Sequence, residues 1–332
     1  MLFVFPARIR RAGGEQERWM SRAFIFPGQG SQSVGMGKAL ADAFPAARLV
    51  FEEVDDALSQ KLSAVIWEGP DADLTLTENA QPALMAVSLA VVRVIEAESG
   101  RTLGELGDYV AGHSLGEYSA LAAARALSLS DTARLLKLRG QAMQKAVPVG
   151  TGAMAALLGA DLALATEIAA AAADGEVCQA ANDNGGGQVV LSGAKAAIER
   201  AIRIAGEKGV KRALPLPVSA PFHCAMMQPA ADAMAAALAA TRIAEPILPV
   251  VANVTAAPVL DPDVIRRLLV EQVTGMVRWR ESVETLAAQG VTQAAELGAG
   301  KVLAGLVKRI AKDIVSVSVG TPDDVEAFLK SL

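Results

Sequence analysis

The pentapeptide Gly112-His113-Ser114-Leu115-Gly116 sets a serine between two glycines, after the apolar run Tyr109-Val110-Ala111 and ahead of the Ala- and Leu-rich stretch Glu117–Leu127. Strand, tight turn and helix in that order are the sequence form of a nucleophile elbow, in which a strained turn thrusts the serine outward. The flanking residues must be small because strand and helix approach closely there. In that context Ser114 is a candidate covalent nucleophile; without it, the pentapeptide would be an ordinary tight turn.

A serine hydroxyl is a poor nucleophile at neutral pH and needs a base, most often histidine, to take its proton. The chain has 2 histidines. His113 sits beside the nucleophile, and neighbouring residues of an extended segment point to opposite faces, so it should face away from Ser114. That leaves His223, in Ser219-Ala220-Pro221-Phe222-His223-Cys224, as the base. No acidic residue is evidently placed to complete a triad, and a backbone carbonyl can orient an imidazole, so a Ser114 and His223 dyad is expected. Acyl transfer also develops an oxyanion that needs two donors. The backbone N–H of Leu115 supplies one in an elbow, and that of Gln29, in the loop Phe26-Pro27-Gly28-Gln29-Gly30, is the candidate for the other. As a phosphate loop this segment lacks the Gly-Lys-Ser or Gly-Lys-Thr ending.

Arg139 discriminates further. The segment Ser130–Val147 reads as a helix, with Ser130 as N-cap and Pro148 ending it. At roughly 100° per residue, Leu135, Leu136, Ala142, Met143 and Ala146 lie within about 60° of Arg139, while Arg134, Lys137, Gln141, Gln144 and Lys145 fall opposite. A guanidinium inside an apolar stripe needs an anion, since a broken buried pair costs roughly 3 to 5 kcal/mol. That anion is either a local carboxylate, in a structural ion pair, or a substrate carboxylate held bidentately.

These residues have to be positioned by a chain of 332 residues, long for one compact unit. Hydrophobic residues make up 52% and aromatics only 4%, the Ala-, Val- and Leu-dominated composition of a helix-rich α/β protein. Pro82–Val92, stopped by Arg93, and Ala233–Ala240 are too short to span a bilayer, so no membrane segment is expected. Cys178 and Cys224 offer no metal-ligand spacing and no disulfide framework, which points to a reducing, cytoplasmic setting with no metal site. The net charge of −5 argues against nucleic-acid binding. Lys208, Lys211 and Arg212, and Lys301, Lys308, Arg309 and Lys312, form two local basic clusters, either solvated faces or a dock for an acidic partner.

Ala23–Phe26 reads as a buried strand, followed by helices from Met36, over Phe44–Leu58 and over Pro82–Ala97, ahead of the elbow strand. Strands separated by helices imply a parallel sheet covered on both faces. Between Thr151 and Leu214 the rhythm shortens to strand Ala153–Leu158, helix Leu162–Ala173, strand Val177–Asn182, strand Val189–Ser192, helix Ala194–Lys208 and strand Val210–Leu214. That β-α-β-β-α-β order is ferredoxin-like, with Gly185-Gly186-Gly187 as the middle turn. The longer rhythm then resumes, with strands near Leu248–Asn253, Gln293–Glu296 and Ile314–Val319. The expected division is a large α/β domain over 23–148 and 218–332, an inserted ferredoxin-like subdomain over 149–217, and an N-terminal extension over 1–22, with Met20 as the natural start.

Taken together, Pro27-Gly28-Gln29-Gly30-Ser31-Gln32, Gly112-His113-Ser114-Leu115-Gly116-Glu117-Tyr118-Ser119-Ala120, Arg139-Gly140, Gly152-Ala153-Met154-Ala155 and Pro221-Phe222-His223 make the chain resemble the malonyl-CoA:acyl-carrier-protein transacylases of fatty-acid synthesis. The resemblance covers Phe24 to Gly305. It implies an α/β-hydrolase-like large domain with a parallel sheet core, carrying the ferredoxin-like subdomain. It implies Ser114 as nucleophile, His223 as base, Gln29 and Leu115 as oxyanion donors, and Arg139 as the clamp on the malonyl carboxylate. Met143 and Phe222 join Arg139 as substrate-binding residues, and Leu115 and Phe222 are the types associated with malonyl rather than methylmalonyl selection. The implied partners are malonyl-CoA, coenzyme A and acyl carrier protein, with no bound cofactor and a monomeric cytoplasmic enzyme.

Two departures stand out. Gly275-Met276-Val277-Arg278-Trp279 replaces a common Asn-Pro-Val-X-Trp, within which the Arg278 carbonyl is expected to orient His223, and Gly298-Ala299-Gly300 replaces Gly-Pro-Gly. Rival readings are a serine hydrolase or thioesterase, the same chemistry serving a polyketide synthase or malonate decarboxylase, and a non-catalytic carrier-docking protein. The first usually keeps its histidine near the C-terminus, whereas 332 − 223 = 109 residues follow His223. An intact Ser114, His223 and Arg139 set stands against the last.

Overall fold

The computed structural model of the protein describes residues 21–218 and 220–332, so the proposed start at Met20 and most of the expected extension lie outside the described residues. The strand expected to open at Ala23 opens at Arg22. β1 (Arg22–Phe26) is buried along its whole length, and Arg22 donates to the Leu106 carbonyl and to Gln293. Residues 21 and 22 are therefore part of the folded unit.

Among the described residues, ten strands form two sheets. The larger contains β1, β2 (Tyr109–Gly112), β7 (Val250–Val251), β8 (Pro258–Val259), β9 (Gln293–Leu297) and β10 (Val315–Val319), in the order β10-β9-β1-β2-β7-β8. Every pairing is parallel except the β7–β8 hairpin. Alternation along β1 and β2 splits the apolar side chains between two cores, as a sheet with both faces covered requires. Phe24, Phe26 and Val110 face the helices Pro45–Leu58, Thr77–Ser99 and Leu129–Lys145. Ala23, Ile25, Tyr109 and Ala111 face the helices Trp279–Ala288 and Val302–Ile310. The smaller sheet, β3 (Gly152–Leu158), β4 (Cys178–Asp183), β5 (Gln188–Ala194) and β6 (Arg212–Pro215), is antiparallel in the order β4-β5-β3-β6. That is the ferredoxin-like arrangement, with the helices Leu162–Ala173 and Lys195–Glu207 packed on it over their own apolar core.

Three helices close to the site differ from the sequence expectation. The helix expected to begin at Pro82 begins at Thr77 and runs to Ser99 with the proline inside it. Long and apolar enough to cross a membrane, it has 83% of its apolar window buried within the fold and is a core helix. The helix carrying Arg139 runs Leu129–Lys145 with Ser128, not Ser130, as N-cap: Ser128 accepts from the Asp131 N–H at 3.0 Å, while Ser130 donates to Glu53 at 2.7 Å. The elbow helix is Leu115–Ala123, starting directly after Ser114 and ending before Arg125, whose φ of 63° is left-handed.

Strand order reverses about β1, with β2 on one side and β9 on the other, and in open α/β sheets the crevice at the carboxyl ends of such strands is where ligands bind. Phe26 pairs with Gly112, so the Gln29 loop and the elbow leave the sheet side by side. Their contact demands glycine. A Cβ on Gly112 would sit 1.9 Å from the Gly116 carbonyl oxygen, and one on Gly116 would sit 2.3 Å from that of Phe26.

Candidate active site

Ser114 adopts φ 54° and ψ −111°, a backbone region that costs a non-glycine residue of order 1–3 kcal/mol. The surroundings over-determine it. Asn253 accepts from the Ser114 N–H at 2.8 Å and donates to the Gly112 carbonyl at 2.7 Å, and Gln272 Nε2 donates to the Ser114 carbonyl at 3.0 Å. So braced, the Ser114 Oγ lies 2.7 Å from His223 Nε2 and accepts from Arg139 Nη2 at 3.1 Å. Serine, imidazole and guanidinium, far apart in sequence, meet at one oxygen.

His223, 4% exposed and itself at φ 58°, is aimed by two backbone carbonyls. Nδ1 lies 2.9 Å from Gln272 O and 3.1 Å from Gly275 O. The Arg278 carbonyl, expected in this role, instead accepts from the N–H and hydroxyl of Ser282 as the helix Trp279–Ala288 begins. The reason is local. Gln272 is in the last turn of the helix Pro262–Thr274, whose final carbonyls have no partner within the helix, whereas the chain beyond Gly275 is drawn to β4 through Val277. With both carbonyls fixing Nδ1–H, Nε2 is left as the acceptor facing Ser114. Burial first, and then the Arg139 charge, pushes the imidazole down to about 3 against the carbonyls that favour its protonated form, so it rests as a neutral base.

Arg139 is 1% exposed, and among the described residues it forms no salt bridge. Neutral acceptors hold it. Nη1 donates to Gln81 Oε1 at 2.8 Å and Nη2 to Gln272 Oε1 at 2.9 Å, while Nε has no partner. Its guanidinium carbon sits 5.7 Å from the centre of the Tyr118 ring. Of the two sequence alternatives, the structural ion pair is absent. Burial depresses the guanidinium below its ordinary value, and the nearest opposing charge acting on it from a carboxylate is that of Glu117.

Glu117, 2% exposed, accepts from the Asn253 N–H at 3.0 Å and from Gln272 Nε2 at 2.8 Å. Burial raises it to about 7, opposed by those two hydrogen bonds and by Arg139. On the other side of the elbow His113 turns away from Ser114, as expected, with Nε2 2.9 Å from Asn184 Oδ1 and its ring against Trp279. The Gln29 loop packs on it, since a Cβ on Gly28 would touch the His113 carbonyl oxygen at 2.9 Å. The backbone N–H groups of Gln29 and Leu115 are engaged by no acceptor among the described residues, and the Gln29 side chain reaches Thr77 at 3.5 Å. Met143, 1% exposed, accepts weakly from Gln81 at 3.7 Å, and Phe222, 9% exposed, lies in the large core next to His223.

Sequence reading missed Gln81, Asn253 and Gln272. One carried a signal: Gln272 shares the buried face of its helix with Ile265, Leu268, Leu269 and Val273, whereas Gln81 precedes the apolar run Pro82–Val92. A polar side chain on an apolar stripe is the same anomaly that singled out Arg139.

The depressed His223 sets a pH test. Between about pH 3 and 6.5 the unfolded imidazole binds a proton that the native one refuses, so stability rises with pH across that window, by up to about 1.4 kcal/mol per pH unit from this group. Urea unfolding of the protein and of His223→Gln at several pH values should show a shallower slope in the variant. Equal slopes would mean that the native imidazole titrates normally.

With this geometry in view, the comparisons with known proteins are direct. A family model described as an acyl transferase domain matches residues 23–325. The chain is 45% identical over 311 residues to the malonyl CoA-acyl carrier protein transacylase of Bacillus subtilis, covering 93% of this chain and 96% of that one. The crystal structure of an acyl-carrier-protein-S-malonyltransferase from Bartonella henselae superposes with a TM-score of 0.92 at 58% identity, covering 94% of this chain and 99% of that one. A malonyl-transacylase solved in complex with its holo type II PKS acyl-carrier protein superposes with a TM-score of 0.91 at 42% identity, covering 94% and 100%. The elbow serine, the buried histidine and the buried arginine thus meet in a chain that belongs to the malonyl CoA-acyl carrier protein transacylase family of acyl transferases.

Proposed function

We propose that this acyltransferase moves a malonyl group from malonyl-CoA to the phosphopantetheine thiol of an acyl carrier protein, in fatty-acid synthesis, through an ester on Ser114. The observation that carries the reading is the meeting of His223 Nε2 and Arg139 Nη2 on the Ser114 Oγ, at 2.7 and 3.1 Å. Malonyl-CoA brings its free carboxylate to Arg139, which puts the thioester carbonyl beside Ser114. His223 takes the hydroxyl proton as Oγ attacks, the Gln29 and Leu115 N–H groups receive the oxyanion, and the proton passes to the departing coenzyme A sulfur. The carrier thiol then reverses the sequence on the ester. Met143 and Phe222 wall the acyl site, and excluding water from the ester is what keeps transfer ahead of hydrolysis. So read, the enzyme needs no bound cofactor and acts as a cytoplasmic monomer. On this reading residues 23–148 and 218–332 carry the chemistry and 149–217 form the inserted unit.

Carrier recognition has a physical basis in the two basic clusters, which converge. Lys211 lies over Gly159, whose N–H donates to the Gly187 carbonyl at 2.7 Å, and Arg309 lies over the adjoining Gly186. Lys211, Arg212, Lys308 and Arg309 are exposed and form no salt bridge among the described residues, a surface suited to an acidic carrier.

Two outcomes test the proposal. Incubation with malonyl-CoA should add one malonyl mass at Ser114, and Arg139→Ala should cost malonyl transfer about 2 to 5 kcal/mol of transition-state binding while sparing acetyl transfer, as read from kcat/KM. Undiminished malonyl preference would remove Arg139 from the site. Separately, the double change Lys211→Glu and Arg309→Glu should raise KM for the carrier about tenfold or more and leave malonyl-enzyme formation untouched; an unchanged KM would place the dock elsewhere.

A further inference from the structure

The mechanism above gives no work to Glu117, yet it is the acid most deeply built into the site. Its carboxylate follows the nucleophile by three residues, is 2% exposed and makes no salt bridge among the described residues. Instead it is wired to Arg139 through a single amide: Arg139 Nη2 donates to Gln272 Oε1 at 2.9 Å, and Gln272 Nε2 donates to Glu117 Oε2 at 2.8 Å. The amide dipole is aligned, its oxygen toward the cation and its N–H toward the anion. Groups around Glu117 come from four elements. Arg139 projects from Leu129–Lys145 and Tyr118 from its own helix, while the two imidazoles of the site, His223 and His113, are both shifted down by burial and do not act on Glu117, whose own shift comes from burial, Asn253, Gln272 and Arg139. Asn253 and Gln272 contribute only neutral contacts. Among the described residues, Arg139 is thus the positive charge that acts on Glu117.

We infer that Glu117 is the resting counter-charge of Arg139, ionised in the free enzyme and protonated when the malonyl carboxylate arrives at the guanidinium, so that forming the malonyl ester draws a proton from solvent into the site. This rests on the malonyl reading of the site. The acyl exchange itself is proton-neutral: the serine hydroxyl proton ends on the coenzyme A thiol as the ester bond forms and the thioester bond breaks. The additional proton belongs to Glu117 alone and returns to solvent when the malonyl group leaves. Two anions cannot share one buried cation without cost, and the weaker acid gives way. Burial already poises Glu117 near neutrality, at about 7, so a second negative charge moves it through the physiological range. By linkage, a site that takes up a proton on malonylation loads malonyl less favourably as pH rises from about 7 to 8. An uncharged acyl group leaves the Arg139 and Glu117 charges paired and takes up nothing.

The test mixes the full-length enzyme with malonyl-CoA or acetyl-CoA in weakly buffered indicator dye at pH 7, weighing the quenched protein for ester in parallel. The expected result is roughly half a proton taken up per malonyl ester, none per acetyl ester, and uptake that fades toward pH 5.5. Glu117→Gln should abolish the uptake while still forming some ester. The wild-type comparison stands by itself should that variant fail to fold. Malonyl ester without uptake, or equal uptake with acetyl, overturns the role of Glu117. Absence of any malonyl ester overturns the malonyl reading first.

Discussion

A guanidinium sealed from water with no carboxylate against it is the constraint around which this site is arranged. Arg139 is nearly fully buried, and its hydrogen bonds go to two glutamine side chains and to the nucleophile itself. Neutral acceptors satisfy the fork's geometry, its charge is met only by Glu117 across the Gln272 amide, and a buried ion without a direct counter-ion costs several kcal/mol. The fold tolerates that cost because Arg139 sits on a helix packed firmly against Thr77–Ser99 and because Tyr118 offers its ring face. The result is a place for an anion one hydrogen bond from Ser114, which is what the proposed preference for a malonyl group requires.

Gln272 makes the arrangement a unit. One residue on the helix Pro262–Thr274 orients His223 through its carbonyl, holds Arg139 through its amide oxygen, and braces the Ser114 carbonyl and Glu117 through its amide nitrogen. His223, Arg139 and Ser114 therefore share one rigid support, and displacement of that helix would disturb all three together. Such pre-organisation lets hydrogen bonds stabilise developing charge without rearranging during reaction. It also explains how two residues, Ser114 and His223, persist at positive φ: Asn253 and Gln272 pin the Ser114 backbone, and two carbonyls hold the His223 ring.

Much of this was legible in the chain. The elbow announced Ser114 by its glycines, scarcity of histidine left His223 as base, and a charged residue on an apolar stripe exposed Arg139. The strand and helix alternation likewise foretold a parallel sheet with an antiparallel insertion. What was illegible depends on three-dimensional closeness of residues with unremarkable local sequence. The carbonyls that orient His223 belong to Gln272 and Gly275 rather than Arg278, because helix termination and the Val277 bridge to β4 decide which carbonyl is free. Gln81 escaped because Pro82 resembled a helix start, whereas the helix continues five residues before it. Ser130 resembled a cap, but burial of Leu127 and Leu129 sets the helix start two residues earlier, at Ser128.

The most direct examination of the account is a crystal structure of the enzyme trapped as its Ser114 malonyl ester. The account predicts both carboxylate oxygens of the acyl group within about 3 Å of the Arg139 guanidinium nitrogens, with His223 Nδ1 still on the Gln272 carbonyl. An ester whose carboxylate points to solvent, while Arg139 keeps only Gln81 and Gln272, would contradict it.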